Sequence, residues 1–158
     1  MSAASLLICL DDPARLPLTE RGQELLRDFR IAYELRIVPP TLAPEPLETL
    51  LRSFEASGGQ IVLCLASTPT YFVARVAALS HLPLLAVSTL AEDRLRPSYE
   101  PFASFAGGEE GFSQALRFAM QVLALGQPDL ARELRYQRLG DRAKAEELDL
   151  LHKVQFDA

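Results

Sequence analysis

Two short apolar runs, residues 61–65 and 82–88, constrain this chain more than any other feature. Ile61-Val62-Leu63-Cys64-Leu65 offers no polar side chain to water, which is the pattern of a strand covered on both faces. Ala66-Ser67-Thr68-Pro69-Thr70 ends that run with small polar residues and a proline. Residues 71–80 then carry apolar side chains at helical spacing, and residues 82–88 read as a second covered strand. Strand, helix and strand in succession form a βαβ unit. Its crossover is right-handed in nearly all cases and requires helices on both faces of a parallel sheet.

The remaining segments extend the same alternation. Residues 5–10 form the first strand, stopped by Asp11-Asp12-Pro13. A helix is predicted over 18–29, with Leu18, Leu25, Leu26 and Phe29 inward and Gly22 weakening it by roughly 1 kcal/mol relative to alanine. Residues 33–38 are a strand of mixed polarity, suited to a position near the sheet edge. Pro44 and Pro46 open the next helix, Leu47, Leu50, Leu51 and Phe54 line it, and Ser57-Gly58-Gly59 stops it. Residues 89–100 form a charged loop and 101–105 a short fifth strand, followed by a turn at Gly107-Gly108. The next helix runs from Glu109-Glu110 to about Leu125, with a wide apolar face that includes Phe112, Leu116 and Ala119. A charged helical tail spans 129–152 with a break at Gly140. The expected fold is α/β: a three-layer, doubly wound sheet of five parallel strands, flavodoxin-like, over residues 1–126. Residues 127–158 form a helical extension lying on that domain or on a neighbouring subunit.

A net charge of −5 argues against a general nucleic-acid or anionic-membrane binder. With no apolar run long enough to span a bilayer and no leader-like start, the expected location is cytoplasmic. Cys9 and Cys64 each sit in an apolar run and read as reduced, buried thiols. His81 and His152 lack ligand spacing to either cysteine, so neither a metal nor another cofactor is expected.

In open parallel sheets, ligands bind beyond the carboxyl ends of the strands, near helix N-termini. Five loops meet there: Asp11-Asp12, residues 39–42, residues 66–70, Ser88-Thr89 and residues 106–108. The candidate ligand-binding residues are Asp11, Asp12, Thr41, Ser67, Thr68, Thr70, Tyr71 and Ser88; no catalytic residue is assigned. The hydroxyls of Ser67, Thr68 and Thr70 suit a phosphate or carboxylate, while the simpler reading makes Thr68 a helix cap and Pro69 the first helical residue. Asp11 and Asp12 suit a cation or a base, or else plain turn chemistry. Tyr71 and Arg75, one helical turn apart, either read a ligand's ring and charge or pack on each other.

Three stretches carry a family resemblance: Tyr33-Glu34-Leu35-Arg36-Ile37-Val38 before a proline-bearing loop, the run from Val76 to Val87, and residues 119–124 followed by Pro128-Asp129-Leu130. On these the chain resembles the PurE-type N5-carboxyaminoimidazole ribonucleotide mutase family of purine biosynthesis, over roughly Leu6 to Leu134. The functional loops depart from that family. Its first loop carries a phosphate-cradling Gly-Ser-x-Ser-Asp, where this chain reads Leu10-Asp11-Asp12-Pro13-Ala14. Its second, Ser-Ala-His-Arg, is replaced by Pro39-Pro40-Thr41-Leu42. Its third is a glycine-rich run ending in the proton-transfer histidine, and Tyr71 falls at that histidine's place. Phenols ionise only near pH ~10, far from the neutral range a proton shuttle needs. The resemblance therefore implies a PurE-like protein without mutase activity that binds a small ligand, regulates or assembles. The alternative is a diverged enzyme acting on a ribotide or another small phosphorylated metabolite. It also implies a homo-oligomer, an octamer in the family, with no nucleic acid or membrane partner.

Overall fold

The computed structural model describes residues 4–39, 41–67, 69–89 and 102–156, with 69–70 and 147–156 described as backbone. Five strands, β1 (Leu6–Leu10), β2 (Tyr33–Ile37), β3 (Ile61–Ala66), β4 (Leu84–Ser88) and β5 (Ala103–Phe105), form one parallel sheet in the order β2-β1-β3-β4-β5. Five α-helices connect and follow them: α1 (Glu20–Asp28), α2 (Pro44–Ala56), α3 (Pro69–Leu79), α4 (Gly108–Ala124) and α5 (Pro128–Phe156). The chain leaves β1 toward β2 and returns to β3 on β1's other side. That reversal is the switch point at which such sheets leave a crevice.

The uninterrupted apolar runs become the central strands, and β1, β3 and β4 are buried throughout. The mixed-polarity segment becomes the edge strand β2, as its composition requires. Because alternate side chains point to opposite faces, Leu7, Cys9, Val62, Cys64 and Ala86 share one core with Leu47, Leu51 and Phe54 of α2 and Phe72, Val73 and Val76 of α3. The intervening residues Leu6, Ile8, Leu10, Leu63 and Leu65 face the other way. On that side Leu26 of α1 and Phe112, Leu116 and Ala119 of α4 are buried.

Two expectations need correction, and one gains a second role. Residues 13–19 form a 3-10 helix, and the α-helix begins only at Glu20. Pro13 and Pro17 have no N–H to donate, so a regular α ladder cannot start before them. Gly22 keeps its helix penalty and adds a packing role. A Cβ there would lie 2.5 Å from Leu116 Cδ1 and 2.5 Å from Phe112 Cε1, so the missing side chain is what lets α1 and α4 approach. Finally, Gly140 does not interrupt α5. It is exposed with nothing within 4 Å, and its flanking helix formers carry the ladder through. The charged loop expected over 89–100 lies, apart from Thr89, outside the described residues.

The chain divides into two compact units, Met1–Met120 and Gln121–Ala158. The first holds the sheet and its loops. The second is the last turn of α4 and the 29-residue α5, with surface ion pairs Asp129–Arg132 (3.3 Å) and Arg142–Glu146 (2.8 Å) along it. No helix among the described residues is long and apolar enough to cross a membrane.

Candidate functional site

The carboxyl ends of β1, β3 and β4 lie side by side, and the loops that leave them begin by extending the sheet. Asp11 N donates to Leu65 O (3.4 Å), Thr89 N to Ala66 O (3.1 Å), and Val38 N to Leu10 O (2.6 Å). This brings Asp11, Ser67 and Thr89 to one edge of the sheet.

Asp11 is 5% exposed. Its Oδ2 accepts hydrogen bonds from Ser67 N (2.6 Å) and from Ser67 Oγ (2.6 Å), tying the first loop to the third. Hydrogen bonds to a charged group contribute roughly 1.5–3 kcal/mol each, so the pair is a strong local fastening. Its other oxygen, Oδ1, is buried without a partner. Asp12 does what turn chemistry predicts: it caps the 3-10 helix, with Oδ1 accepting from Ala14 N at 2.8 Å. The adjacent aspartates thus divide, one inward and one into the turn.

Two more buried polar atoms on these loops lack a partner, Arg15 Nε in the 3-10 helix and Thr89 Oγ1 after β4. Sequence reasoning placed Thr89 in a site loop without selecting it and passed over Arg15. The available signal was a lone cation between Pro13 and Pro17 on the first of the five loops. A chain of hydrogen bonds anchors this helix: Tyr33 Oη to Gln23 Oε1 (2.8 Å), Gln23 Nε2 to Thr19 Oγ1 (2.8 Å), and Thr19 Oγ1 to Leu16 O (2.7 Å).

The second loop closes with Leu42 N on Pro39 O (2.9 Å) and leaves Thr41 exposed. Arg75 Nη2 donates to Leu42 O at 2.5 Å, and the same guanidinium lies 5.7 Å from the Tyr71 ring centroid. Tyr71 and Arg75 are therefore a packed pair that also holds the second loop against α3, with Tyr71 65% exposed. Ser88 is fully buried. Helix α3 starts at Pro69, as the proline at its first position predicts; the expected cap, Thr68, lies outside the described residues.

Cys9 and Cys64 are partners in the β1–β3 register, both free and buried beneath these loops. Burial first, then the neighbouring Cys9 thiol and the Asp11 charge, push the Cys64 thiol well above its ordinary range, so it stays protonated. Among the described residues, no group of three or more His, Cys, Asp or Glu is placed to hold a metal ion. A concavity of about 240 Å³ between α1 and α4 is walled by exposed Arg21, Glu24, Asp28, Glu110 and Arg117. It lies on a helix face and not at the strand ends, so the loops remain the stronger candidate.

The fold is a doubly wound, open parallel α/β sheet, and the strand ends beside the β1/β3 reversal are the candidate ligand site. No family model matches the chain. It is 24% identical over 142 residues to the N5-carboxyaminoimidazole ribonucleotide mutase of Pyrococcus abyssi, covering 83% of this chain and 80% of that protein. It is 25% identical over 158 residues to the same enzyme of Thermotoga maritima, covering 94% and 90%. The crystal structure of Treponema denticola PurE superposes with a TM-score of 0.77 at 16% identity, covering 90% of this chain and 94% of that one. A 3-dehydroquinate dehydratase-like protein from Bifidobacterium longum shares the fold more loosely, at a TM-score of 0.52 and 18% identity over 77% of this chain and 98% of that one. Over most of its length the chain is thus similar, at low identity, to N5-carboxyaminoimidazole ribonucleotide mutases.

Proposed function

We propose that this chain uses the family scaffold to bind a small ligand in a regulatory or assembly role and does not carry out the mutase reaction. One observation carries the reading: Asp11 closes on Ser67 across the first and third loops, where an open, ligand-gripping cradle would need free amides. Moving a carboxylate between ring positions also needs a proton carrier that titrates near neutrality. The residue at that place is Tyr71, a phenol packed beside Arg75. The buried, unpartnered atoms of Asp11, Arg15 and Thr89 support ligand binding at the same edge.

The second reading, a diverged enzyme acting on a ribotide or other phosphorylated metabolite, rests on the hydroxyls of Ser67, Thr68, Thr70 and Tyr71. The engagement of Ser67 with Asp11 weighs against it. We further propose a cytoplasmic homo-oligomer, octameric as the family relation implies, with α4 and α5 at its interfaces. Exposed Phe118, Leu125, Tyr136 and Leu139 on those helices support this. The deciding assay is carboxylate transfer on aminoimidazole ribotides, for which no turnover is expected; measurable turnover refutes the reading. Light scattering checks the assembly, and a monomer counts against it.

A further inference from the structure

We infer that Asp11 fills, from within the chain, the seat for a ligand anion at the start of α3. The ligand taken here therefore presents hydrogen-bond donors, as a small amine or polyol does, and places no phosphate against Ser67. This deepens the small-ligand reading above and rests on it.

Ser67 precedes α3 by two residues, at the positive end of that helix. Its N–H and Oγ are the two donors that an incoming anion would use, and both are given to Asp11 Oδ2 at 2.6 Å. A phosphate seated there would have to break both bonds and lie against a carboxylate. Like charges at that range oppose each other.

The second observation is independent of the helix end. Asp11 is 5% exposed, and its Oδ1 has no partner at all. An ionised carboxylate oxygen only accepts hydrogen bonds, so the group that completes this site must donate one. Arg15 Nε donates and asks for an acceptor, while Thr89 Oγ1 can do either. A ligand hydroxyl or ammonium supplies the donor that Asp11 Oδ1 lacks, and a phosphate dianion cannot.

The test uses the full-length chain and five probes: ethanolamine, D-ribose and myo-inositol against inorganic phosphate and ribose 5-phosphate. Binding is read by calorimetry and thermal shift for the wild type, Asp11→Ser and Asp11→Asn. In the wild type, at least one donor probe should bind about tenfold or more tighter than either phosphate. Asp11→Ser should reverse that order by releasing the Ser67 N–H and Oγ, and Asp11→Asn should weaken the donor probes. A wild type that prefers phosphate or ribose 5-phosphate overturns the inference and leaves the small-ligand reading standing. A wild type that binds none of the five removes both. If either variant fails to fold, the wild-type ranking decides by itself.

Discussion

Gly22→Ala sets two effects of similar size against each other in α1. Alanine in a helix interior is favoured over glycine by about 1 kcal/mol. Against that, the new Cβ would stand 2.5 Å from Leu116 Cδ1, 2.5 Å from Phe112 Cε1 and 2.8 Å from Phe112 Cδ1. Comfortable carbon contacts begin near 3.5 Å, so α4 or its side chains must retreat by about 1 Å. Phe112 and Leu116 are both fully buried, so neither can swing out into solvent without losing its core contacts. Overpacking of this kind costs about 1–3 kcal/mol, and with two rigid neighbours the upper half of that range applies. The net expectation is destabilisation by about 1–2 kcal/mol. For a domain of this size that corresponds to a drop in Tm of about 2–8 °C.

Two companion substitutions isolate the cause. Gly140→Ala makes the same chemical change where nothing lies within 4 Å, and should add up to about 1 kcal/mol of helix stability. Gly111→Ala would drive its Cβ to 1.5 Å from the Ala106 carbonyl oxygen, a backbone atom that cannot swing aside, and should be the most damaging of the three. Thermal and urea unfolding followed by circular dichroism gives the ranking. Pairing Gly22→Ala with Phe112→Leu should cost less than the sum of the single changes. A Gly22→Ala protein as stable as the wild type would refute the close approach of α1 and α4.

Other perturbations have equally definite outcomes. Ser67→Ala removes one of the two donors to Asp11 and should cost about 1–3 kcal/mol in urea unfolding, with Asp11→Ala costing more because both bonds go. Arg75→Ala frees the second loop from α3, and hydrogen exchange should show the Leu42 amide opening faster while the β3 amides stay protected. The raised Cys64 pKa means that the folded chain holds this proton more tightly than the unfolded chain does. Its contribution is therefore complete below the ordinary thiol range, near pH ~8.5, and is lost as pH rises beyond it. The stability difference between wild type and Cys64→Ala should stay constant up to that pH and shrink above it, as pH-dependent melts would record.

The sheet was legible because β1, β3 and β4 are short runs with no polar face, a pattern that only a doubly covered strand can tolerate. The edge position of β2 was legible for the complementary reason. What escaped notice depends on partners far away in the chain. The role of Gly22 is set by Phe112 and Leu116, which share no local pattern with it. The Asp11–Ser67 bond joins positions 56 residues apart, and Asp11-Asp12-Pro13 on its own reads as a turn. Turn chemistry did account for Asp12. Arg15 and Thr89 became visible only once folding left their polar atoms enclosed and unmatched.

The strand order also dictates how this chain must be made. β1 leaves the ribosome first, yet it occupies an interior position whose neighbours begin at Tyr33 and Ile61. Until Ile61–Ala66 has emerged, the stretch from Leu6 to Leu10 can pair natively on one side only, and its other edge stays bare and adhesive. Nascent chains stalled before β3 should be the ones that chaperones hold and that clump when chaperones are scarce.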